Sequence, residues 1–110
     1  MKTITGKWRI IEMEQWDKEF IDMVEPGFIC LEKGGGGEMK FGAVNLELDW
    51  EAGDGGRASF TFVGFDEGDE VTGRGWAEAT GAKLAGQIKF HQGDKSKFAA
   101  KAWPRKGGCG

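Results

Sequence analysis

Apolar and polar residues alternate in short runs along most of this chain, and the runs predict strands. The cleanest is 44–50, where Val44, Leu46, Leu48 and Trp50 share one face and Asn45, Glu47 and Asp49 the other. Residues 7–13 set Trp8 and Ile10 against Lys7 and Arg9, and residues 57–65 set Phe60 and Phe62 against Ser59 and Thr61. Further runs at 28–33, 38–42, 71–79, 83–92 and 97–103 complete a set of eight, spaced by about ten residues. One stretch, residues 14–25, breaks the period of two. There Trp16, Phe20, Met23 and Val24 recur on one face of a helix. Asp17 is placed to cap its start and Pro26-Gly27 to stop it. The pattern predicts a helix of about two to three turns over 16–24, too short to stand alone but long enough to cover a barrel end.

Glycine explains how such runs would curve. The chain holds 20 glycines in 110 residues. Those at 34–37, 53, 55–56, 68, 81 and 93 fall between the runs and read as turns. Gly42, Gly64, Gly73, Gly75 and Gly86 fall inside them, where a strand bends or another backbone approaches. Gly73 and Gly75 in one strand each cost roughly 0.5–1 kcal/mol unless curvature requires them. The expected fold is therefore all-β: an up-and-down antiparallel barrel of about eight strands with one short helix between strands 1 and 2, strand 8 returning to pair with strand 1. An eight-stranded barrel has room inside for side chains or for one small ligand. Residues 1–103 form the single domain, and 104–110 read as a disordered tail.

Composition adds a core and a charge asymmetry. Eight Phe and five Trp supply enough apolar volume to need no metal or disulfide scaffold. Residues 1–70 carry 16 acids and 7 bases, a balance of −9, and residues 71–110 carry 2 acids and 8 bases, a balance of +6. In a meander these halves become sectors of opposite sign that meet where the barrel closes, which reads either as favourable closure with solvated faces or as a self-complementary surface for a homodimer. Trp50 and Trp103 are the aromatic residues expected to add apolar area to it. No stretch approaches the ~20 apolar residues of a membrane span, and the first residues lack the apolar run of a secretory signal. Cys30 reads as a buried free thiol and Cys109 as an exposed one, which fits a cytoplasmic location.

Few residues suggest chemistry. His91, Asp94 and Ser96 name the members of a catalytic triad but sit around one turn, where Asp94 and Ser96 serve the backbone. A single histidine with distant cysteines does not build a zinc site. The acidic turn at 66–70 lacks the spacing of a calcium loop, and the glycines at 34–37 lack the Gly-Lys-Ser/Thr of a phosphate loop. No cofactor is expected. Lys89, Lys95, Lys97 and Lys101 interleave with Phe90, Phe98 and Trp103, as on single-stranded nucleic-acid platforms, but the strand count and acidic balance speak against nucleic acid. Arg74 and Trp76 share one strand face between glycines, a pairing suited to an anionic or aromatic ligand.

Gly6-Lys7-Trp8 resembles the Gly-x-Trp opening of the calycin barrels (lipocalins, fatty-acid-binding proteins and avidins). The resemblance implies their architecture, with the Trp plugging one barrel end, and no ligand. Trp16-Asp17, Ile21-Asp22, Pro26-Gly27-Phe28-Ile29, Lys40-Phe41-Gly42, Gly73-Arg74-Gly75-Trp76-Ala77 and Phe90-His91-Gln92-Gly93-Asp94-Lys95-Ser96-Lys97-Phe98 resemble a family of small bacterial proteins without an assigned function. That likeness implies an intact single domain and no activity.

The leading functional expectation is a non-catalytic module that holds a small molecule or partner segment at the barrel mouth beside the helix. Arg74, Trp76, Trp16, Phe20 and His91 are its candidate ligand-binding residues. The alternative is an interaction protein with a filled barrel, acting through its outer sheet surface or as a homodimer. Trp8, Ile10, Leu46, Leu48, Phe60, Phe62, Leu84, Ile88 and Phe90 are enough to fill a small interior, which tempers the case for a ligand cavity.

Overall fold

A computed structural model describes residues 4–103. Eight strands pair in chain order and close into one antiparallel barrel: β1 (Gly6–Met13), β2 (Phe28–Leu31), β3 (Gly36–Phe41), β4 (Val44–Ala52), β5 (Arg57–Asp66), β6 (Asp69–Thr80), β7 (Lys83–Phe90) and β8 (Lys95–Ala102). Strand β8 pairs with β1 and closes the ring, with an irregularity between Ile10 and Glu12. The arrangement fits a calycin-like architecture. The expected tail at 104–110 and Cys109 lie outside the described residues.

The alternation read from the sequence sorts side chains to the two sides of the wall. In β5, Ala58, Phe60 and Phe62 are buried while Ser59, Thr61 and Val63 are exposed. Partners directly across a ladder share a face, so Gly75 opposite Phe60 and Gly73 opposite Phe62 also face the interior. Their missing side chains are used by the rings. A Cβ on Gly75 would lie 2.7 Å from Cζ of Phe60, one on Gly86 would lie 2.6 Å from Cζ of Phe98, and one on Gly73 would strike the Phe62 ring. The nine residues expected to fill the interior are all buried. Gly42 differs from expectation. It has φ +58 and turns the chain between β3 and β4, where the Phe20 ring lies against it.

The two barrel ends are finished differently. Where β1 begins, Trp8 is buried and its indole N–H donates to the Ile4 carbonyl at 3.0 Å. Where β1 ends, the chain makes helix α1 (Lys18–Ile21). Asp17 caps it, accepting from the Phe20 N–H at 2.9 Å. The helix is one turn, not two to three. Asp22 ends it, because its carboxylate is held by Arg9 at 2.9 Å and Lys18 at 2.7 Å and accepts the Gly27 N–H at 2.9 Å. Burial pushes the Asp22 carboxyl up, but Lys18, the Gly27 N–H and the Arg9 charge together outweigh this and hold it below its ordinary value. The chain therefore leaves the helical path after Ile21. Ile21 is buried, and the expected Met23 and Val24 are 56% and 69% exposed.

Cys30 corrects the thiol expectation: it is buried and disulfide-bonded, and no described cysteine is free. One support for a cytoplasmic location goes with the free thiol. Among the described residues no helix is long and apolar enough to cross a membrane.

Candidate functional site on the outer wall

The five expected site residues do not converge. Trp16 and Phe20 lie at the α1 end of the barrel. The Trp16 ring packs 4.9 Å from Phe41 and 6.2 Å from Phe90, with Phe20 beside it at 6.4 Å. These rings seal the mouth. Arg74 and Trp76 alternate with the inward Gly73, Gly75 and Ala77 and therefore stand on the outer wall of β6. His91 is exposed just past β7, its backbone N–H donating to the Thr72 carbonyl at 2.7 Å. The structure brings Arg74, Trp76 and His91 to one outer face and leaves Trp16 and Phe20 on the mouth.

The ladder registers show what else is on that face. Asp49, Thr61, Arg74, Lys89 and Lys95 are successive partners across β4, β5, β6, β7 and β8. One row along, Glu38, Glu47, Val63 and Thr72 are partners across β3 to β6. A third row carries Lys40, Asn45, Phe65 and Glu70. The face is thus divided by strand: mainly acidic on β3 and β4, basic from Arg74 to Lys95 on β6 to β8, and uncharged along Ser59, Thr61, Val63 and Phe65 of β5.

Several grooves cover this face. One of about 580 Å³ runs over Val63 and Phe65 between Glu38, Glu47 and Glu70. A second of about 400 Å³ joins it at Val63 and Thr72 and reaches Arg74, Lys89 and His91. A third of about 300 Å³ is lined by Arg74, Trp76, Gln87, Lys89 and Lys95. Val63 and Phe65 are 54% and 50% exposed, so apolar area lies at the centre of the band.

Electrostatics make the basic part unusual. Arg74 stands directly opposite Lys89, and Lys89 opposite Lys95. Like charges across a ladder destabilise a sheet. Among the described residues the ion pairs join Arg9 and Lys18 to Asp22, Lys40 to Glu25 and Arg57 to Glu78, so none relieves this row. Trp76 is covered by a cation, but by Arg57 at 4.3 Å and not by its neighbour Arg74. The Arg74 guanidinium is left to face solvent.

The remaining candidates have structural roles. Ser96 is buried. Its hydroxyl accepts from the Gln15 N–H at 3.2 Å and donates to the Lys97 carbonyl at 3.0 Å, tying the chain after β1 to β8. Trp50 donates its indole N–H to the Glu32 carbonyl at 2.9 Å. Trp103 lies 4.2 Å from the Lys7 ammonium, which also sits 4.4 Å from the Phe28 ring. Both tryptophans expected at a dimer contact are thus engaged within the barrel wall. Among the described residues no three His, Cys, Asp or Glu side chains cluster to hold a metal.

No protein-family model matches the chain, no curated protein matches it, and no solved structure matches it.

Proposed function

We propose that this protein is a non-catalytic interaction module that receives an anionic partner on the outer wall of β6 to β8. The observation that carries this reading is the row of Arg74, Lys89 and Lys95, aligned on neighbouring strands with no carboxylate in ion-pair reach among the described residues. Oxyanions placed over the row would remove the repulsion within it, and Arg74 offers them a planar fork of donors. Gln87 and Trp76 add an amide and an indole to the same groove. Binding at the mouth is less well supported, because a ligand there must displace Trp16 from Phe41 and Phe90. The interior offers no substitute, since rings from β5 and β8 occupy the space above the facing glycines. We also infer kinship with the small bacterial proteins that carry the Gly-Arg-Gly-Trp-Ala segment, a relation that brings no activity with it.

The test is fluorescence anisotropy of a fluorescein-labelled oligoglutamate peptide titrated with the protein. The reading expects saturable binding that weakens as salt rises. Lys89→Glu and Lys95→Glu should each weaken it roughly tenfold. Binding that survives both reversals, or no binding at low salt, contradicts the reading.

A further inference from the structure

The outer face carries a symmetry of charge that a single barrel does not use. Thr61 has Asp49 as its partner on one side and Arg74 on the other. Val63 likewise has Glu47 on one side and Thr72 on the other, and Glu47 is itself opposite Glu38. From Ser59 to Phe65 the outward side of β5 is uncharged, with Glu38, Glu47 and Asp49 to one side of it and Arg74, Lys89 and Lys95 to the other. Strands lie about 4.8 Å apart, so the backbones of β4 and β6 are separated by roughly 9–10 Å within one barrel. Among the described residues none of Asp49, Glu47, Glu38, Arg74, Lys89 and Lys95 forms an ion pair.

We infer that the anionic partner is a second copy of this chain, docked face to face about a two-fold axis that runs along β5. The inference rests on the reading of the basic row as a receiver of anions, and it names what is received. A rotation about that axis exchanges the two flanks. Asp49 of each copy then lies over Arg74 of the other, because both are partners of Thr61. Glu47 of each copy lies over Thr72 of the other, one row from Arg74, and Glu38 lies beyond it on the β7 side, one row from Lys89. Val63 and Phe65 meet their own counterparts at the centre, where their exposed area is removed from water. Any other partner must present basic, apolar and acidic strips in matching order. A second copy has that order by symmetry, which is the condition for an isologous contact. An axis across the strands would set acid on acid, so the charge pattern also selects the orientation.

Sedimentation equilibrium of the wild type and of two charge reversals tests this. The wild type should form a dimer at micromolar concentration that loosens with salt. Asp49→Arg sets Arg against Arg, and Arg74→Asp sets Asp against Asp. Each should raise the dimer dissociation constant at least about tenfold. Both side chains are exposed, and far-UV circular dichroism checks that the variants remain folded. An equimolar mixture of the two variants should dimerise, since both symmetry-related contacts then set an arginine of one copy against an aspartate of the other. The double variant should recover self-association. A wild type that stays monomeric at high concentration and low salt overturns the inference, as does a dimer indifferent to both reversals. If that monomer still binds oligoglutamate through Lys89 and Lys95, the interaction-module reading stands with a different anionic partner. If it binds neither, both fall.

Discussion

Phe60 stands directly across the β5–β6 ladder from Gly75, and its ring occupies the space a side chain at Gly75 would need. The same relation joins Phe62 to Gly73, and Phe98 to Gly86 across β7–β8. Each glycine lets a neighbouring ring lie flat against the inner wall. Rings thus occupy the interior at all three glycines, which supports the outer wall as the proposed recognition surface. Gly75→Ala should be destabilising by roughly 1–3 kcal/mol, since its Cβ would also lie 2.5 Å from the Gln87 carbonyl oxygen, which the ladder holds in place. Urea unfolding measures this. A change near zero would mean that the interior has space to spare.

Asp22 makes stability depend on acid. Its carboxyl titrates lower in the folded protein than in an unfolded chain, so the folded state is favoured while it is ionised. That contribution is complete above the ordinary Asp pKa and is lost as pH falls through the lowered folded value. Asp22→Asn should therefore cost roughly 1–2 kcal/mol at neutral pH, mostly through Arg9, because Lys18 is half in solvent. The gap between variant and wild type in urea should close as the pH drops below the carboxylate range. A gap that persists in strong acid would assign the effect to packing.

Cys30 should be silent to thiol reagents in the native protein without reductant, because it is buried and disulfide-bonded. Mass spectrometry after alkylation should find it modified only once the protein has been reduced. Labelling of Cys30 before reduction would contradict the disulfide.

How much of this was legible in the sequence depended on whether the signal was local. Strand β4 was readable because Val44, Leu46, Leu48 and Trp50 mark its inner face without help from the rest of the chain. The helix was overextended because Met23 and Val24 fit its period, while the clasp that ends it joins Asp22 to Arg9 on another element. The candidate face on the outer wall was hidden for a related reason. Asp49, Thr61, Arg74, Lys89 and Lys95 have no common spacing, and only the ladder registers line them up. Part of the signal was present. If Gly73 and Gly75 face a filled interior, Arg74 and Trp76 must face out.

Whether recognition takes place on the outer wall or at the mouth is decided most directly by backbone and indole chemical shifts of isotope-labelled protein titrated with oligoglutamate. The two locations are marked by different tryptophans, Trp76 among the cations of β6 to β8 and Trp16 over Phe41 and Phe90. Perturbations should gather at Arg74, Trp76, Gln87, Lys89 and Lys95, with the Trp16 indole unmoved. Shifts centred on Trp16, Phe20 and Phe41, with the β6–β8 row unchanged, would contradict the account.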